Sequence, residues 1–199
     1  WFDFENTLNS ENYSFDMNTS SIGSINFSSL RGVAYNGEFF ALGETDNKNI
    51  YIWKGIPGLN DEPDYIIQNP VGVGRIDMND EWLVVSAYPG AGSPVHVINL
   101  TNLDSGIMLP VPGNDDFPQG VSINEKGFFI ALQGSNKVVG WSSVQDALNG
   151  SSPTMSFGGT TNKTNSGTKM ASTVHWDGFH LWVGEFKFSN RLLGFAPSK

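Results

Sequence analysis

Residues 184–195, GEFKFSNRLLGF, run from one apolar stretch through a polar turn into a second apolar stretch. GETDNKNIYIW at 43–53 and ALQGSNKVVGW at 131–141 have the same shape. Working outward from these hairpins, four segments share one plan: 31–53, 74–98, 120–141 and 172–195. Each opens with a short strand whose apolar residues alternate: Val33/Tyr35, Ile76/Met78, Val121/Ile123 and Val174/Trp176. A turn follows at Asn36-Gly37, Asn79-Asp80, Glu125-Lys126-Gly127 or Asp177-Gly178, of the kind that tolerates positive φ in two-residue hairpins. The next run is apolar almost throughout (FFALG, WLVVSA, FFIAL, FHLWVG), which predicts strands covered on both faces.

A second polar turn carries Asp46-Asn47-Lys48, Ser135-Asn136-Lys137 and Ser189-Asn190-Arg191, with Gly92-Ser93-Pro94 in the second unit. Third strands IYIW, VHVI, VVGW and LLGF come next. Loops with Leu59-Asn60, Leu103-Asp104 and Leu148-Asn149 lead to fourth strands DYIIQ, IMLPV and TMSFG. Four antiparallel strands repeated every ~40–50 residues predict the blades of a propeller. At these hairpins the chain resembles the β-propeller superfamily, most nearly its NHL-type and lactonase-like members. In those a small-polar-Asn-Arg/Lys turn precedes the third strand, as in SNRLLGF (189–195) and SNKVVGW (135–141). No Trp-Asp pair ends a third strand, which disfavours the WD class.

The expected fold is all-β: a four-bladed β-propeller of four-stranded antiparallel blades in a single domain, 1–199. The blades are expected near 23–67, 68–113, 114–159 and 160–199, with closing or extra strands in 1–22. The fourth unit has three strands. NYSFDM, residues 12–17, reads as its missing fourth strand, because a three-stranded last blade leaves an open edge. WFDF at the start is then a surplus strand, with Trp1, Phe2 and Phe4 as self-association residues. The bland alternative is a tail packed on its own blade. The chain opens on Trp1, so a processed or trimmed product, or a segment of a longer protein, is expected.

Composition bounds the function. Hydrophobics at 39% and aromatics at 13% fit a folded domain, and 23 Gly with 10 Pro fit frequent turns. A formal charge of −9 argues against nucleic acid and against an anionic membrane surface. There is no cysteine, hence no disulfide, thiolate site or cysteine nucleophile. No apolar run approaches the ~20 residues of a membrane helix. Sequons at Asn12, Asn18, Asn26, Asn99, Asn149 and Asn162 point to glycan attachment and to an extracellular or cell-surface location. The competing reading is that Asn and Ser/Thr crowd into turns.

Chemistry-bearing patterns are sparse. No G-x-S-x-G, P-loop or H-E-x-x-H occurs. His175 and His180 are expected to face each other across the Asp177-Gly178 turn, at a spacing that can support a metal, yet His96 is the sole further imidazole. Ordinary strand packing is the simpler reading. Opposite the apolar pairs stand Ala34, Asp77, Ser122 and His175, with Gly32, Arg75, Gly120 and Thr173 beside them. This set lines the centre as an ion or ligand site, or as a self-satisfied polar plug. Acidic loops at 60–64 and 114–116 lack EF-hand spacing and read as solvated turns. The lactonase resemblance implies acidic and Asn residues around a divalent metal in the channel; only Asp77 has a place there, beside Ala34 and Ser122. The expectation is a non-enzymatic binding or structural module, without cofactor or metal, whose partners are copies of itself in a filament. The alternative is a small lactonase- or hydrolase-like propeller enzyme, or a carbohydrate- or ligand-binding domain using the channel.

Overall fold

A computed structural model of the chain describes residues 20–88, 94–103, 106–110, 117–159, 167–186 and 191–196. A two-stranded ribbon, β1 (Ser21–Ile22) and β2 (Ile25–Asn26), precedes four antiparallel sheets. Blade one is β3 (Leu30–Tyr35), β4 (Phe39–Glu44), β5 (Asn49–Lys54) and β6 (Tyr65–Gln68). Blade two is β7 (Val73–Met78), β8 (Trp82–Ala87), β9 (Val95–Asn99) and β10 (Gly106–Leu109). Blade three is β11 (Pro118–Asn124), β12 (Gly127–Leu132), β13 (Lys137–Trp141) and β14 (Met155–Gly158), with a short helix α1 (Val144–Leu148) before its last strand. Blade four shows three strands among the described residues: β15 (Ala171–Trp176), β16 (Leu181–Glu185) and β17 (Leu192–Phe195). In every blade, neighbours in sequence are neighbours in the sheet. The first strands of all four blades border one central cavity. This is the four-bladed β-propeller.

The second strands β4, β8 and β12 are buried along nearly their whole length, as their continuous apolar runs require. Burial on both faces arises because each blade packs face to face on the next. Ala34, Ala41, Ile50 and Ile52 of blade one meet Val73, Ile76, Met78 and Leu83 of blade two. Val84, Val95 and Val97 meet Val121, Ile123, Phe128 and Ile130. Phe129, Ala131 and Val138 meet Ala171, Val174, Leu181 and Val183. The close approach of the inner strands depends on small residues. At Gly120, an added Cβ would sit 2.8 Å from Thr173 Cα and 2.9 Å from Ser172 O, both backbone of the next blade.

Between blades four and one the arrangement changes. β3 packs on β7, β7 on β11 and β11 on β15, but β15 and β3 form no comparable contact. The face of blade one turned toward blade four is covered by the ribbon instead: Ile22, Ile25 and Phe27 pack on Leu42, Tyr51 and Trp53. Consequently Val33 and Tyr35 are 60% and 47% exposed, whereas their counterparts Ile76, Met78, Val121, Ile123 and Val174 are buried. The alternation is the same in all four blades; what lies opposite differs. The proposed closing strand, residues 12–17, and the surplus segment 1–6 lie outside the described residues.

Two local features depart from expectation. The ribbon has no counterpart among the expected blade strands, and Leu148-Asn149, expected in a loop, closes a one-turn helix. Ser143 caps it, accepting from the Asp146 N–H at 3.0 Å. Ser143 followed three residues later by Asp146 is the available sequence signal.

Candidate functional site

The turns at one end of the channel follow a single rule. Asn36 Oδ1 accepts from the N–H groups of Glu38 (3.0 Å) and Phe39 (2.7 Å). Asn79 does the same for Glu81 and Trp82, and Asp177 for Phe179 and His180; Asn124 accepts from Lys126. The Asx residue therefore stands before the two turn residues and is not one of them. This shifts the hairpin by one place and corrects the expected histidine pair. His175 lies opposite Trp182, and Asp177 N–H donates to His180 O. The partner of His175 therefore moves two residues along, from His180 to Trp182, so His175 and His180 do not stand directly opposite each other. His180 Nδ1 lies 3.8 Å from Asp177 Oδ2. The Asp177 carboxyl is pulled down to about 2, chiefly by Trp182 Nε1–H and then by the His180 and Phe179 N–H groups.

Two of the residues opposite the apolar pairs, Asp77 and Ser122, stitch blade to blade. Asp77 Oδ2 accepts Ile123 N–H at 2.9 Å, while Oδ1 accepts Met78 N–H at 3.0 Å. Ser122 Oγ accepts Trp176 N–H at 3.3 Å. Asn36 Nδ2, Thr45 Oγ1 and Ser86 Oγ each donate to a carbonyl of the next blade. Burial pushes the Asp77 carboxyl up, against these hydrogen bonds and the nearby His175. Asp77, His175, Thr173 and Val33 still border the central cavity, of about 520 Å³. His96 is buried away from it. Its Nδ1 lies 2.7 Å from Asn69 Oδ1, and burial depresses its pKa. Among the described residues no three His, Asp or Glu side chains group to hold a metal. In the 60–64 loop, Asp61, Glu62 and Asp64 each accept a backbone N–H, from Gly58, Ser24 and Lys54.

Two buried carboxylates escaped the sequence reading. Glu44, fully buried, accepts from Ser28 N–H (2.7 Å), Ser28 Oγ (2.8 Å), Tyr51 OH (3.0 Å) and Asn47 Nδ2 (3.1 Å). Burial alone would raise its pKa, but these bonds outweigh it and hold the carboxyl below the usual value. Glu185, at the matching end of β16, receives Arg191 through Nε at 2.8 Å and Nη2 at 2.7 Å. Gly43-Glu44 and Gly184-Glu185 form a repeated pair that the sequence offered as a signal.

Of the expected sequons, Asn26 and Asn149 are exposed and Asn99 is half-buried, its Oδ1 accepting from Thr101. Asn12, Asn18 and Asn162 lie outside the described residues, as do Trp1, Phe2, Phe4 and the 114–116 cluster. Among the described residues β17 is the last strand of its sheet. Leu192 on it is 68% exposed, and Phe179 in the turn between β15 and β16 is 75% exposed.

No family model matches the chain, and no curated protein matches it by sequence. Similarity appears among solved structures. The computationally designed Ika4 protein is 10% identical at a TM-score of 0.59, over 90% of this chain and 98% of that one. A chain of the nidogen/laminin complex is 12% identical at 0.61, over 86% of this chain and 65% of its own length. The Myceliophteria thermophila Cps50 (Swd1) β-propeller domain is 11% identical at 0.56, over 78% of this chain, which spans about half of that chain's length (49%). At such identities the likeness is one of fold, and with four blades around one cavity the fold of this chain is a four-bladed β-propeller.

Proposed function

We propose that the chain is a non-enzymatic structural or binding module of the cell exterior that joins copies of itself by strand addition at blade four. The observation that carries this reading is the three-stranded blade: β17 has β16 on one side and no strand on the other among the described residues. An unpaired edge offers a row of N–H and C=O groups to an added strand. Leu192, on β17 itself, adds exposed apolar surface to it. Residues 12–17 supply the closing strand from the same chain. Residues 1–6, with Trp1, Phe2 and Phe4, then add to the outer edge of that closing strand on a neighbouring copy. A strand laid on an edge is a head-to-tail contact, and such contacts grow into filaments when they do not close. The sequons, with Asn26 and Asn149 exposed, support an exterior location and glycan-coated sides. An enzymatic reading has less to draw on: both oxygens of Asp77, the carboxylate on the cavity wall, already accept backbone N–H groups.

The test is to remove residues 1–6 and compare both forms by sedimentation velocity and electron microscopy. The full chain should assemble and the trimmed chain should sediment as a folded monomer with unchanged circular dichroism. A monomeric full chain at high concentration, or assembly by the trimmed chain, refutes the proposal.

A further inference from the structure

The innermost strand of every blade carries a β-bulge at the same place. Leu30 pairs with Glu44 and Gly32 with Gly43, so Arg31 is extra. Pro118 pairs with Leu132 and Gly120 with Ala131, so Gln119 is extra. Ala171 pairs with Glu185 and Thr173 with Gly184, so Ser172 is extra. In β7, Gly74 and Arg75 together fall between the Val73–Ala87 and Ile76–Val85 pairs. Bulges re-aim side chains. Here Arg31, Arg75, Gln119 and Ser172 border one cleft of about 320 Å³, joined by Gln133. All four blades contribute. The cleft lies at the end of the channel opposite the Asx turns, and Arg75 lines both it and the central cavity.

Its chemistry is one-sided. Every polar side chain just named can donate hydrogen bonds, two carry fixed positive charge, and no carboxylate lines the cleft. The chain has three arginines and a formal charge of −9. Arg191 is paired with Glu185. The other two meet here, and neither has an ion-pair partner among the described residues. The Arg31 guanidinium sits over the Tyr88 ring, 3.6 Å from its centroid. Arg75 Nη1 donates to Arg31 O at 3.2 Å. These contacts steady the two groups without neutralising them. Asp77, two residues along β7, is occupied by Ile123 and Met78 N–H groups.

We propose that this bulge-built cleft binds a small oxyanion, such as a carboxylate or a sulfate, with Arg31 and Arg75 as charge partners and Gln119, Gln133 and Ser172 as neutral donors. Planar guanidinium forks suit carboxylate and sulfate oxygens, and a concave site with a few convergent polar groups suits a small ligand. The proposal is independent of self-association, since the cleft lies on the inner strands and not on the β17 edge.

The experiment is isothermal titration of the full chain at low ionic strength with citrate, with sulfate, and with glucose as a neutral control. Saturable one-to-one binding of citrate or sulfate, and none of glucose, is expected. Arg31→Gln and Arg75→Gln should each weaken it about tenfold or more. Lys126→Gln removes one charge at the other end of the channel and should leave binding unchanged. In the unaltered chain, citrate should shift the Gln119 and Gln133 side-chain amide signals by NMR, a readout that needs no variant to fold. Absence of saturable binding by both anions overturns the proposal. So does equal weakening by Lys126→Gln and Arg75→Gln, or binding that leaves both amide signals in place.

Discussion

Replacing Glu44 by Gln tests the energetics of the first blade directly. The carboxylate is fully buried and accepts four hydrogen bonds, two on each oxygen. Glutamine retains one acceptor oxygen and presents an NH₂ in place of the other. If the oxygen stays toward Ser28, the NH₂ faces Tyr51 OH and Asn47 Nδ2, both donors. A hydrogen bond to a charged group contributes about 1.5–3 kcal/mol, and a buried donor left unsatisfied costs about 1–3 kcal/mol. Rotation of the tyrosine hydroxyl recovers part of this, so a loss of roughly 2–4 kcal/mol is expected. For a domain of this size 1 kcal/mol moves Tm by about 2–4 °C, so the melt should fall by roughly 4–16 °C at pH 7. The pH dependence follows from the lowered folded-state pKa. The unfolded chain binds this proton more readily, so the contribution of Glu44 is complete above the ordinary glutamate value of 4.5 and is lost as pH falls through the folded value. The gap between the two proteins should therefore narrow in acid. Calorimetry and urea unfolding at pH 7, 5 and 3.5 measure it. A Tm loss under about 2 °C at pH 7, or a gap that does not change with pH, refutes the reasoning.

Gly120→Ala should destabilise the fold by about 1–3 kcal/mol, since the new methyl meets backbone of blade four that has no rotamer to yield; an unchanged denaturant midpoint would show that the blades separate easily. Deleting residues 12–17 should lower solubility and Tm by leaving β17 without a partner, and a deletion protein as stable and soluble as the full chain would rule out the closing strand. Native material treated with an N-glycosidase should lose mass at sequons, with Asn26 and Asn149 the most open, whereas an intact mass equal to the bare polypeptide would remove the argument for an exterior location.

The repeat was legible because a blade is mostly local. Its hairpins, its alternating first strand and its apolar second strand recur in the sequence, and β4, β8 and β12 are buried as their runs demand. The turn register was less legible. Asn-Gly and Asp-Gly are compatible with either placement, and the choice belongs to the Asx side chain, which accepts the N–H groups two and three residues on. That choice set the position of His180 and removed the expected histidine pair.

What the sequence by itself determined is the blade: its strand count, its two-faced burial and its place in a chain of four. Which blade face meets another was decided in three dimensions. Val33/Tyr35 and Ile76/Met78 are the same pattern, yet the second pair is buried against blade one and the first is exposed, because a ribbon of four paired residues covers blade one instead of β15. The mouth of the channel was decided the same way. Arg31 and Arg75 are 44 residues apart, and no local pattern joins them. They meet because each inner strand bulges at one point and the blades turn those points toward a common axis. Side-chain alternation is a property of a segment, but convergence on an axis is a property of the ring.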